Sequence, residues 1–300
     1  MMHWQRVNQD LVMTLNTSGI STEQPSEGVL DVTLAAKTSA TTRQLYASKI
    51  IKAGALLADT KMMLASWNRG LTPSQNLERF QQENIFGKAS RVRIRDILAI
   101  FRQRYLTDVE TTNALVKLSA GRLPAEALDR ILYFHSAQSD PLLHDTVVEI
   151  IGEVRRLGRD EVATSDVEEG LKRWVEEGKT AGSWSGPTIT RIAQGLLATL
   201  RDFGVLKGAV RKRLNPVYLP LEAFAYIAFY LHKKQASGER LINDSEWGLF
   251  FLDTDGVERL FLESHQRGLL EYHAAGPVIR VEFPARSIEE YTSVIIERAH

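Results

Sequence analysis

The stretch PTITRIAQGLLATLRDFGVLKGAVRKRL, residues 187–214, decides how the chain is read. Pro187 suits the first turn of a helix, where its missing amide hydrogen would have no partner anyway, and Gly204 is the residue type that ends one. Between them Ile189, Ile192, Ala193, Leu196, Leu200 and Phe203 recur at helical spacing. Thr190, Arg191, Gln194, Ala198 and Arg201 fall on the opposite side. Beyond Gly204 a short apolar piece, Val205 and Leu206, leads to Lys207, a turn at Gly208, and the basic run Arg211, Lys212, Arg213. A helix followed by a glycine-punctuated basic hairpin is the second half of a winged-helix pattern. The first half lies upstream, where Thr164, Ser165 and Asp166 precede Glu168 and Glu169 in a capping-box-like start to a helix reaching Glu177.

Upstream of this the periodicity stays helical. Leu45, Ile50, Ile51, Leu56, Leu57, Met63, Leu64 and Trp67 predict one helix closed by Asn68, Arg69 and Gly70. Further helices are expected from Thr72 toward Phe80, from about Lys88 to Tyr105, and over 111–118, 124–136 and 141–157. The charged run from Arg155 to Asp160, with Gly158 inside it, is the expected domain boundary. Downstream, helices are expected over 219–233, 245–252 and 257–267. A second hairpin is expected over 269–283, turning at Gly276 and Pro277, and a closing helix over 287–298. The expected fold is mainly α: a flexible arm over 1–43, a helical domain over 44–157, and a winged-helix-like part over 158–300 with two small β-hairpins. The arm is assigned because 16–42 is rich in Ser, Thr, Gly and Ala, with too few apolar residues to offset its ordering entropy.

Composition narrows function further. Lysine plus arginine equals aspartate plus glutamate at 37 each, so attraction to nucleic acid must come from local patches. No cysteine is present, which removes disulfides, thiolate metal sites and cysteine nucleophiles and fits a cytoplasmic protein. No signal peptide is legible at the start. The most apolar segment, 223–231, is far shorter than the roughly 20 residues of a membrane-spanning helix.

Two local excesses of positive charge stand out. Over 88–104 six basic residues against Asp96 give a net +5. At about 100° per residue Lys88, Arg91, Arg95 and Arg102 share one stripe, opposite Ile94, Ile97, Leu98, Phe101 and Tyr105. Over 201–213 five basic residues against Asp202 give a net +4. Either patch would track phosphates, and Arg191 and Gln194 would lie within reach of a groove. The competing readings are an amphipathic helix whose basic side chains flank its apolar face, and a winged helix reused for protein contacts.

Fragments that look enzymatic fail on spacing. Gly178-Lys179-Thr180 lacks the first glycine of a phosphate loop, since Arg173 stands there. The centre of Gly182 to Gly186 is Trp184 rather than a serine nucleophile. Asp253 and Asp255 lack the remaining calcium ligands, with Phe251 and Leu262 at two of the required positions. The seven histidines show no paired-ligand spacing, and Glu168, Glu169, Glu176 and Glu177 sit on a solvated helix. No catalytic residue, cofactor, metal or small-molecule substrate is expected.

With these residues in view the chain resembles the BrxA family, small components of BREX (bacteriophage exclusion) operons that also encode a methyltransferase and large ATPases. The resemblance rests on residues 46–60 (YASKIIKAGALLADT), 83–98 (ENIFGKASRVRIRDIL), 140–145 (DPLLHD) and 200–206 (LRDFGVL), in that order. It covers 46–231 well, the last hairpin and helix more loosely, and the first 43 residues not at all. It implies a non-enzymatic phage-defence accessory that binds duplex DNA and contacts other BREX proteins. The expected DNA contacts are Lys88, Arg91, Arg95, Arg102, Arg191, Arg201, Lys207, Arg211, Lys212 and Arg213. The rival expectation is a protein-interaction adaptor organising larger defence proteins, with an uncharacterised enzyme as a remainder.

Overall fold

A leucine in the left-handed region opens the architecture. Leu56 (φ 52°) follows Gly54 (φ 57°), and together they split the single helix expected over 45–67 into α1 (Ile50–Ala53) and α2 (Leu57–Ala65). Apolar periodicity runs on across such a break because both pieces face one core. The computed structural model describes residues 45–299 except 217, 236 and 277. The expected N-terminal arm lies outside the described residues.

Next come α3 (Pro73–Glu83), capped reciprocally by Thr72 and Gln75, and α4 (Arg91–Tyr105), capped by Ser90. These are followed by α5 (Val109–Ala120) and α6 (Ala125–Ser139). The helix expected over 141–157 runs as α7 (Pro141–Asp145), a π-helical stretch (Thr146–Ile151) and α8 (Gly152–Arg156). α9 (Thr164–Glu176) crosses the π stretch at Gly170, where a side-chain carbon would lie 2.3 Å from Ile150 Cδ1. The capping box expected at its start takes a different form. Ala163 occupies the cap position, and Asp166 accepts the Ala163 N–H at 2.8 Å while Arg159 grips both Asp166 oxygens.

α10 (Gly186–Asp202) ends at Gly204 (φ 73°), and β2 (Leu206–Lys207) and β3 (Lys212–Leu214) form the expected hairpin. A third strand, β1 (Glu161–Val162), joins it in the antiparallel order β1-β3-β2, with Glu161 opposite Arg213 and Lys207 opposite Arg213 on the other side. β1 is not legible in the sequence, because two residues carry no period.

The remainder contains α11 (Leu221–Lys234), α12 (Gly238–Ile242), too short to show a period in the sequence, and α13 (Thr254–Gln266). Residues 245–252, expected as a helix, form a tighter 3-10 turn (Ser245–Phe250) ended by Phe251 at φ 55°. β4 (Glu271–Ala275) and β5 (Val278–Glu282) make the second hairpin, and α14 (Ile288–Arg298) closes the chain.

Mainly helical, the body from 44 to 300 is one compact unit. Helices on both sides of Gly158 share its core. α14 packs on α5, close enough that a Cβ on Gly121 would lie 2.8 Å from Ile296. α6 packs on α11, where His135 and the Tyr226 hydroxyl meet at 2.9 Å. Burial pushes the His135 pKa down to about 3, so it is a neutral packing residue.

Candidate nucleic-acid interface

α10 buries Ile189, Ile192, Ala193, Leu196, Leu197 and Leu200 and leaves Pro187, Arg191, Gln194 and Arg201 exposed. By helical geometry these four lie within about 80° of one another. Thr190, expected on this side, instead donates to Glu168 at 2.7 Å and ties α10 to α9. α10 meets α1 at Gly195, where an added Cβ would sit 3.5 Å from the Ile50 carbonyl, an ordinary packing distance. The C-terminal end of α10 is held by Arg130 of α6, whose guanidinium donates to the carbonyls of Phe203 (2.7 Å) and Tyr218 (3.1 Å). Burial draws the Arg130 pKa down, opposed by Glu126, Tyr133 and Asp129. Nothing in the local sequence marks Arg130, because its partners are carbonyls far along the chain.

The hairpin beside α10 depends on Gly208 (φ 97°), where a Cβ would fall 2.1 Å from the Arg211 carbonyl. Its tip is exposed, Val210 almost fully at 95%. Lys207, Arg211 and Arg213 are exposed, while Lys212 is half-buried and donates to the Ala209 carbonyl. Directly opposed strand residues share a face, so Lys207 and Arg213 stand side by side with Glu161 beyond Arg213. A cleft of about 270 Å³ separates the hairpin tip from the Gln194–Ala198 turn of α10 and the start of α9. Among the described residues, the side chains of Arg191, Lys207, Arg211 and Arg213 have no hydrogen-bond or ion-pair partner. Arg201 differs, because Asp202 holds its guanidinium at 2.6 Å.

The second basic surface is on α4. Since the helix begins at Arg91, Lys88 lies before it, half-buried, with Nζ 3.5 Å from Asp59. Arg91, Arg95 and Arg102 are exposed and, among the described residues, have no such partner. Arg93 and Arg104, counted in the local charge excess, serve packing instead. Arg93 donates to the Lys52 carbonyl at 2.6 Å, and buried Arg104 donates to Gly54 (2.9 Å) and Ala55 (3.2 Å). These two point about 200–220° around the helix from Arg91. α1 stands on that side, between α4 and α10. Arg91, Arg95 and Arg102 therefore lie on the side of α4 turned away from α1, which itself packs on α10.

The BrxA family model matches residues 44–230. The chain belongs to the BrxA family. The BrxA match runs from just before α1 into α11 and so contains both basic surfaces, Arg130 and the three-stranded sheet. α12, α13, the second hairpin and α14 lie beyond it. BrxA membership carries an accessory role associated with BREX phage defence. No curated protein matches the chain. Among the described residues of this BrxA protein, no helix is long and apolar enough to cross a membrane.

Proposed function

We propose that this BrxA-family protein acts in the cytoplasm as a non-catalytic BREX accessory that binds duplex DNA, chiefly through phosphates, with a winged-helix-like unit formed by β1, α9, α10, β2 and β3. The observation that carries the reading is the pair Lys207 and Arg213. Like charges directly across an antiparallel pair are destabilising by a few tenths to about 1 kcal/mol. Here they stand exposed with Arg211 and Arg191; Glu161 lies opposite Arg213 on its other side, yet among the described residues none of the four is within ion-pair distance of a carboxylate. An anion on this face would relieve the repulsion, and evenly spaced phosphates supply one per side chain. Lys212 contributes less because its ammonium is spent on Ala209, and Arg201 and Lys88 less because carboxylates hold them.

Titration of an unrelated-sequence duplex against salt tests this. Four neutralised phosphates give a log–log slope of about −4. Replacing Arg191, Arg211 and Arg213 by alanine should weaken binding equally on unrelated sequences and flatten the slope by about one per lost contact. Absence of binding at low salt, or binding indifferent to these substitutions, would overturn the proposal. A second reading, contact with a protein partner, is favoured by one observation: Arg91, Arg95 and Arg102 lie on the side of α4 turned away from α1, the helix through which α4 reaches α10.

A further inference from the structure

Independent of the DNA-binding reading, α3 and α4 form a surface of different character. Ser74, Leu77, Glu78 and Gln81 of α3 face Arg95, Leu98, Ala99 and Arg102 of α4 across an open groove of about 360 Å³. Both sets follow the spacing i, i+3, i+4, i+7, the spacing of a helix face that receives another helix. Leu77 and Leu98 form the floor, 6% and 7% exposed, while Ala99 is exposed between them. The α4 wall carries Arg95 and Arg102, seven residues or about 10.5 Å apart along the axis. Arg91 extends the same wall by one further turn. The α3 wall carries a single charge, Glu78.

We infer that this groove receives an amphipathic helix of a protein partner, with small or aliphatic residues on its inner seam and carboxylates one heptad apart along the edge that meets Arg95 and Arg102. An α-helix about 10 Å across fits between two neighbouring helices, and a third helix packed there completes a small bundle. Exposed Ala99, between the two arginines, offers a helix seam a small residue to pack against, which phosphate contacts alone would not use. A second copy of this chain is disfavoured by charge, since one Glu78 cannot match Arg91, Arg95 and Arg102 on its twin. Arginine beside apolar side chains, with charge at the rim, is the composition of protein interfaces.

The test places a photo-crosslinking amino acid at Ala99 in the full chain, expressed with an intact BREX operon, and maps the attached peptide by mass spectrometry. Attachment to one helical segment of a different protein is expected, with carboxylates at heptad spacing. Arg95→Glu with Arg102→Glu should cut the yield at least about tenfold, because charge reversal sets like charges against each other. Both side chains are exposed, and Arg95→Gln with Arg102→Gln provides a milder pair should the reversal impair folding; it should cut the yield severalfold. Duplex affinity of each pair is measured in parallel, so that a loss of affinity tracking the loss of adduct would assign Arg95 and Arg102 to DNA instead. Attachment to DNA, to a second copy or to nothing, an adduct insensitive to both pairs, or joint loss of duplex affinity would overturn the inference.

Discussion

The Arg130 guanidinium donates to the Phe203 carbonyl across 2.7 Å, joining α6 to the residue at which α10 stops. A second bond to the Tyr218 carbonyl fixes the chain that follows β3. One buried side chain therefore sets both the end of the exposed helix and the exit of the hairpin. Gly204 completes the arrangement, since its left-handed backbone (φ 73°) turns the chain out of the helix as few other residues can.

Arg130→Ala removes these donors and leaves the carbonyls short of partners, so it should destabilise the protein by about 2–4 kcal/mol. Urea unfolding measures this directly. Arg130→Lys should recover only part of the loss, because an ammonium lacks the planar fork that reaches two carbonyls at once. Full stability in Arg130→Ala would mean that α10 is held by apolar packing alone.

Lys207→Glu should separate stability from binding. Opposite Arg213 it replaces a repulsive cross-strand pair by an attractive one, stabilising the hairpin by about 0.2–1 kcal/mol. The same change places a negative charge on the proposed phosphate face and should lower duplex affinity by at least about tenfold. Denaturation midpoints and anisotropy titrations on one preparation read both effects. A variant that loses stability and affinity together would point to unfolding of the hairpin instead.

His144 couples the π-helical region to pH. Burial pulls its pKa down, but the hydrogen bond to Asp145 (2.8 Å) and the two carboxylate charges, Asp145 and Glu246 (3.3 Å away), outweigh this and raise it to about 9. A folded-state value above the ordinary 6.5 means a stability contribution fully present below about pH 6.5 and lost as pH rises through 9. The surrounding groups include Tyr46, which donates to Asp145, and Gln138, which donates to Glu246 and accepts from Lys234 at 3.0 Å. Melting temperature should therefore fall between pH 7 and 10. His144→Gln should flatten that part of the profile, and an unchanged slope would remove His144 as its source.

Gly170→Ala tests the crossing of α9 over the π stretch. The added methyl would meet Ile150 Cδ1 at 2.3 Å and Cγ1 at 2.8 Å, and Ile150 is itself only 6% exposed. Because the isoleucine has little room to move, a cost of about 1–3 kcal/mol is expected in spite of alanine's better helix propensity. Ile150→Val with Gly170→Ala should restore part of it by returning volume. Equal unfolding midpoints for Gly170→Ala and the parent would show that the crossing is looser than its contacts imply.

Local rules determined much of this protein before any packing was considered. The 3.6-residue period of Ile189, Ile192, Leu196 and Leu200, the start at Pro187 and the stop at Gly204 are written in consecutive residues, and the helix and hairpin stand where they indicate. The mainly helical class and the four stretches behind the BrxA resemblance were legible for the same reason. Only the tertiary structure decided which charges are available. Lys88, Arg93, Arg104 and Arg201 look like Arg91 and Arg211 in a one-dimensional count. Yet Asp59, the Lys52 carbonyl, the α1–α2 turn and Asp202 occupy them. The strand Glu161–Val162 was equally hidden. A side chain's partner is set by which distant segments the core brings beside it, and periodicity along one helix carries no record of that.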